Sequence, residues 1–247
     1  MQIIATAIIK GGTGKTATAA ALAQAAQHTG KRVLVIDLDP QANLTLAIGA
    51  RQQAKGSYSL ITGAADATAC TQQTEQGIDV IAAAPELATI RTTPASATRL
   101  RAAIQPIKEE YDFIVIDTPP TIGEMLYSAL HAATGLVIPL ETDSSSLQGL
   151  YQITDIAKQI QQRAAGLQIL GTVITKYDSR PKINRFIHDA IEAKGAEIGA
   201  PLLAEIRAGV AVREAAAMKE NLFVYAPKSN PAKDYMKLYK TIAEREM

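Results

Sequence analysis

The stretch that most constrains this chain is KGGTGKT at residues 10–16. It lies between the apolar run QIIATAII (2–9) and the alanine-rich TATAAALAQAA (16–26). The first flank predicts a strand and the second a helix over 15–29. Glycines let backbone N–H groups turn inward around an anion, and the helix N-terminus adds the positive end of its dipole. In such a loop Lys15 reaches the outer phosphates of a nucleotide and the Thr16 hydroxyl faces a divalent cation. Gly11, Gly12, Thr13, Gly14 and Ala17 complete the cradle. At average glycine and lysine usage, this pattern arises by chance in roughly one chain of this length in ten thousand. The loop also departs from the ordinary G-x-x-x-x-G-K-[ST] pattern. Ile9 stands where the first glycine belongs, and Lys10 adds a second cation.

The rest of the chain repeats the strand-then-helix order. Continuous apolar runs at 32–37, 78–83, 113–117, 135–140 and 167–175 read as buried parallel strands. Helices are expected at 97–109, 123–132, 145–164, 182–194 and 231–245, whereas 49–76 suggests short helices and loops outside the sheet. The predicted class is α/β: a P-loop NTPase with a mostly parallel sheet covered by helices on both faces, as one domain over 1–247.

A chain of 247 residues, 47% hydrophobic and 20% charged, is long enough to bury a substantial core. The lone cysteine, Cys70, allows no disulfide framework and no cysteine-ligated cluster within one chain, and implies a cytoplasmic setting. The N-terminus does not read as a signal peptide, and no apolar run approaches the ~18 residues of a membrane span. Net charge is +1, with 12 Lys+Arg against 14 Asp+Glu over 1–175 and 13 against 10 over 176–247. The three histidines, His28, His131 and His188, fall on helical stretches and suggest no catalytic triad.

Two strands end in aspartates: VLVIDLDPQAN (33–43) and FIVIDTPP (113–120). Ligands of open parallel sheets sit beyond the carboxyl ends of strands, where carboxylates can hold Mg²⁺ directly or through water. Three such aspartates behind a phosphate loop point to one site.

The KGGTGKT loop with its extra lysine resembles the deviant Walker A loop of the ParA/MinD family of P-loop ATPases. The resemblance implies that Lys10 crosses a dimer interface to the ATP of the other subunit, while Lys15 serves its own nucleotide. It implies that Asp39, in the DxDPQ segment, orients the attacking water. Asp37 and Asp117 would support the Thr16/Mg²⁺ shell, and DTPP (117–120) would sense the γ-phosphate. GLVIPLETDSSSLQGL (135–150) is similar to a family segment that usually carries Glu where Asp143 stands; a helix N-cap is the other reading of that residue. TVITKYDSR (172–180) resembles the stretch beside the adenine, which makes Lys176 and Asp178 candidates. IRAGVAVREA (206–215) matches the loop flanking the base, and LFVYAPKSNPAKDY (222–235) the short last strand and its exit.

A ParA-type function follows as an expectation: a homodimer closed by ATP and Mg, non-specific DNA binding, and release stimulated by a ParB-like adaptor, at the nucleoid and without membrane. DNA candidates are Arg180, Lys182, Arg185, Arg207, Arg213 and Lys219. A MinD-like membrane-cycling ATPase is the alternative, but the ending PAKDYMKLYKTIAEREM reads as a packing helix rather than a lipid-inserting one. Positioning of a protein cluster would use the same mechanism with other cargo. Iron–sulfur relatives need paired cysteines, which the chain lacks.

Overall fold

The computed structural model describes residues 1–91, 97–163 and 166–245. Its strands are β1 (Gln2–Thr6), β2 (Val33–Asp37), β3 (Thr71–Gln73), β4 (Asp79–Ile81), β5 (Phe113–Asp117), β6 (Gly135–Leu140), β7 (Gln168–Tyr177) and β8 (Leu202–Arg207). They form one sheet in the order β3-β4-β2-β5-β1-β6-β7-β8. Every neighbouring pair is parallel except β3–β4, which is antiparallel.

The helices are α1 (Lys15–His28), α2 (Asn43–Ala47), α3 (Ser57–Thr62), α4 (Ala67–Cys70), α5 (Arg99–Ile104), α6 (Glu124–Ala132), α7 (Ser146–Arg163), α8 (Lys182–Glu197), α9 (Ala211–Met218), α10 (Leu222–Tyr225) and α11 (Asn230–Ala243). Alternate strand residues point to opposite faces, so continuous apolar strands feed two cores. Ile3, Ala5, Leu34, Ile36, Ile114 and Ile116 pack on one face with residues of α5, α6, α7 and α8. Ile4, Val33, Val35, Val115 and Val137 pack on the other with α1, α2, α9, α10 and α11.

Helix α1 buries every residue from Thr18 to Ala26, and six of those nine are alanine. Small side chains let the helix lie close to the strands while α11 covers its far side. Tyr235, Leu238, Tyr239 and Ile242 of α11 are buried there. The Thr18 hydroxyl meets the Tyr235 hydroxyl at 3.3 Å, and the Tyr239 ring packs edge-on against Phe113 at 5.5 Å.

The strand and helix boundaries largely follow the sequence pattern, with three corrections. The 49–76 segment contributes β3 to the sheet edge, where Thr71 and Gln73 pair with Ile81 and Asp79. Leu222–Tyr225 is a helical turn, not a strand, because the Asn221 side chain caps it by accepting from Phe223 N at 2.9 Å. The last strand is instead β8, at 202–207. Expected helix 97–109 is shorter, ending at Ile104 before a 3₁₀ turn at Lys108–Glu110. Residue 164 of the expected 145–164 helix lies outside the described residues.

Candidate functional site

The central strands set the site by register. Thr6 lies opposite Asp117 between β1 and β5, and Asp37 lies opposite Asp117 between β2 and β5. Three polar side chains therefore end three adjacent strands at one level, directly under the loop that leaves β1. Within that loop Gly12 and Gly14 adopt φ values of 80° and 84°, the left-handed region that favours glycine. A Cβ on Gly14 would also stand 3.2 Å from the Thr175 side chain. The Thr175 hydroxyl donates to Thr13 O at 2.8 Å, so β7 buttresses the loop.

Lys15 is nearly buried, and its Nζ donates to Lys10 O at 2.7 Å. Burial lowers its pKa, and the charges of Asp117 and Asp39 offset part of that shift. Asp117 is fully buried. Its Oδ2 accepts from Thr16 Oγ1 at 2.7 Å, and its Oδ1 from Thr6 Oγ1 at 3.2 Å and Thr118 N at 3.1 Å. Desolvation, followed by the charge of Asp37, pushes its pKa up to about 7. Asp37 is raised as well, first by burial. Its Oδ2 is occupied by Thr45, through the backbone N–H at 2.9 Å and the hydroxyl at 2.8 Å, and its Oδ1 accepts from Asp39 N at 3.1 Å. Asp37 thus ties the 39–45 segment to its strand, while Asp117 is the carboxylate that touches Thr16.

A cleft of about 550 Å³ opens above these groups, lined in part by Gly11, Gly12, Gly14, Lys15, Thr16, Ala17 and Asp39. Pro120, Lys176 and Arg213 line it from the other elements. It adjoins a second hollow of about 530 Å³ between β7, β8 and α9, lined by Ile206, Gly209, Val210 and Val212 among others. The phosphate loop and the base-flanking loop expected from sequence therefore meet in one continuous region. The residues suit a hydrated magnesium ion: Thr16 Oγ1 and Asp117 Oδ2 are hard oxygen donors side by side, and Asp39 faces the same cleft. Among the described residues, the Thr13 hydroxyl is buried without a hydrogen-bond partner, an orphaned donor at the loop's centre.

Two lysines at the rim are held by the β6–α7 connection. Lys10 forms an ion pair with Asp143. Lys176, at φ 52°, donates to Gly12 O at 2.8 Å and to Glu141 Oε1 at 2.7 Å. Asp143 also accepts from Ser145 N at 3.0 Å and is held below its ordinary pKa: burial opposes this, and the bonds from Lys10 and Ser145 outweigh it. Sequence reasoning gave no signal for Glu141, for Thr45, or for Asp143 as the partner of Lys10.

The remaining expected residues divide. Asp178 does not line the cleft; its carboxylate is forked to Arg180 at 2.7–3.1 Å. Arg207 is likewise paired with Asp234, at 2.6 and 2.9 Å. Arg213 lines the nucleotide region. Lys182 and Arg185 are exposed on the first turns of α8, and Lys219 is exposed at the end of α9.

A parallel sheet with this loop, a hydroxyl–aspartate pair at its base and a cleft beyond the strand ends defines a P-loop NTPase. An AAA domain family matches residues 1–169. The chain is 31% identical to the sporulation initiation inhibitor protein Soj of Bacillus subtilis, over 98% of each protein. It is also 31% identical to the chromosome partitioning protein ParA of Caulobacter vibrioides, over 100% of this chain and 95% of that one. Among solved structures, cobyrinic acid a,c-diamide synthase from Mycobacterium smegmatis, with a bound ATP analogue and magnesium, superposes with a TM-score of 0.83. That pair is 26% identical and covers 97% of this chain and 93% of the other. The chain belongs to the ParA/MinD family of P-loop ATPases. Among the described residues, no helix is long and apolar enough to cross a membrane.

Proposed function

We propose that this chain is a Mg²⁺-dependent ATPase of the partitioning type, which closes into a homodimer around ATP and in that state binds DNA without sequence preference. The observation that carries the reading is the division of labour between two lysines. Lys15 reaches into its own phosphate loop, whereas Lys10 points out of it, to Asp143 on the rim. A cation on the rim can serve a nucleotide held by a second copy, which makes assembly depend on ATP.

In this reading Gly11–Ala17 cradle the phosphates and Lys15 neutralises the β/γ oxygens. Magnesium, held by Thr16 and Asp117, neutralises charge on the phosphates when bound. Asp39, which lines the cleft, orients the attacking water. Asp37 fixes the 39–45 segment through Thr45, so that Asp39 keeps its position. Lys176 closes the rim over Gly12. The base lies between β7, β8 and α9. Hydrolysis removes the γ-phosphate that holds the two copies together, and a ParB-like adaptor accelerates that step. The setting is cytoplasmic, at the nucleoid.

For DNA, Lys182, Arg185, Arg213 and Lys219 are the exposed candidates without a carboxylate partner among the described residues, and of these Arg213 lines the nucleotide cleft. Arg180 and Arg207 are each neutralised by an aspartate. The test is binding to a non-specific duplex with ATP, with ADP and with no nucleotide, at two salt concentrations. Binding that needs ATP and falls steeply with salt supports the reading. Absence of binding in every condition would overturn the DNA part and leave the ATP-gated dimer to be tested by light scattering.

A further inference from the structure

Helix α8 is the most open of the long helices, with only Ile191 and Gly195 buried along its length. His188 is an exception to its polar surroundings: its side chain is only 12% exposed. The ring lies against Tyr177 of β7, with centroids 5.2 Å apart and planes tilted by 31°. Its Nε2 sits 2.8 Å from Glu205 Oε1 on β8, and its Nδ1 sits 3.0 Å from Asp189 Oδ1. Glu192 follows one turn later on the same helix face. One ligating atom from each of His188, Asp189 and Glu192 falls within 4.8 Å of the others, the one such group of metal-ligating side chains among the described residues.

We propose that His188, Asp189 and Glu192 form a binding site for a divalent transition-metal ion, with Glu205 orienting the imidazole. Glu205 accepts the Nε2 proton and so orients the ring, and the Nδ1 position shared with Asp189 is where an ion would replace a proton. One imidazole nitrogen with two carboxylate oxygens suits Zn²⁺, Co²⁺ or Ni²⁺, with water filling the open positions. Mg²⁺ strongly prefers oxygen ligands and near-octahedral geometry, so it competes poorly. The orienting Glu205 comes from a different element than the ligands, and the Tyr177 ring restricts the imidazole further. The imidazole is therefore held in place by two other elements, with Asp189 and Glu192 as exposed carboxylates beside it.

The state that competes with metal is the protonated ring. Burial lowers the His188 pKa, but the bonds to Asp189 and Glu205 outweigh burial and raise it overall. Asp189 and Glu192 on α8, Glu205 on β8 and Tyr177 on β7 face the ring, and Arg185 lies near Tyr177. Metal binding must displace that proton, so affinity weakens as pH falls through the His188 pKa. An ion held here would stiffen one turn of α8, which the His188–Glu205 bond ties to β8. The site is separate from the phosphate loop and does not depend on the partitioning reading.

The test is Co²⁺ titration of the untagged, nucleotide-free chain in excess Mg²⁺, followed by visible absorption and by calorimetry. The expected result is saturable binding of a single ion per chain, displaced by Zn²⁺. Glu192→Gln, on the helix surface where folding is not at stake, and His188→Gln each weaken it at least tenfold. Glu205→Gln, which removes no ligand, weakens it roughly ten- to hundredfold. Absence of saturable binding would overturn the proposal. So would binding unchanged by His188→Gln and Glu192→Gln, since the ion would then sit at the phosphate-loop aspartates.

Discussion

Replacing Asp117 by Asn should stabilise the nucleotide-free protein while destroying its ATPase activity. Asp117 is fully buried beside Asp37, and its pKa is raised from 3.8 to about 7. A carboxyl group whose folded pKa exceeds its unfolded value destabilises the fold when ionised. The penalty is full above about pH 7, falls by about 1.4 kcal/mol per pH unit below that, and vanishes near the unfolded value of 3.8. Taken alone, a shift of that size corresponds to about 4 kcal/mol at pH 8. Asn is isosteric and keeps the bonds: its Oδ1 accepts from Thr6 Oγ1 and Thr118 N, and its Nδ2 donates to Thr16 Oγ1. Lys15 loses an attractive neighbour, which subtracts from the gain. The net expectation is about 2 kcal/mol at pH 8, or roughly 4–8 °C in Tm for a chain of this size. Urea denaturation of both proteins at pH 5 and pH 8 measures it. The reasoning fails if Asp117→Asn is less stable than the parent at pH 8, or if the difference is the same at both pH values.

Further outcomes follow from the same geometry. Lys15→Ala abolishes ATP binding, and micromolar affinity surviving in calorimetry would remove the phosphate-loop assignment. Asp39→Ala traps an ATP-bound dimer with hydrolysis slowed at least a hundredfold; turnover at the parent rate would exclude Asp39 from orienting water. Lys10→Ala leaves monomers that bind nucleotide, and a dimer that still forms with ATP in light scattering would place Lys10 outside the interface. Thr45→Val removes one donor from the buried Asp37 carboxylate and the acceptor of Ala83 N. It should lower urea stability by about 2–4 kcal/mol; an unchanged midpoint would show that Asp37 does not depend on Thr45.

The sequence carried the central layer of the fold because parallel strands buried on both faces must be apolar without interruption. FIVID and GLVIPL are buried at every position, and their boundaries match the pattern residue for residue. Edge strands obey no such demand. LLAEIR in β8 buries only Ile206 fully, and TQQ in β3 buries nothing, so neither shows an apolar run. LFVY misleads in the opposite sense. Its aromatic and β-branched residues favour a strand, yet Leu222 and Phe223 are buried in a helical turn against α1, where Gln24 Oε1 accepts from Leu222 N at 3.2 Å.

The site divides along the same physical line. The residues of a phosphate loop are adjacent in sequence because one loop must wrap one anion, so the Gly11–Thr16 loop shows as a motif. The groups that hold them in place come from distant segments and need only be close in space. Asp143 meets Lys10, Glu141 meets Lys176, and Thr45 meets Asp37 through folding alone. Nothing in ETDSSS or NLTLA marks those pairings. His188 is the extreme case. In sequence it is a histidine on a polar helix, and its meaning comes from Glu205 and Tyr177 on two strands that parallel pairing lays side by side. A motif thus reports where chemistry is performed, whereas the charges that tune it become visible only when strand order fixes which loops share an edge.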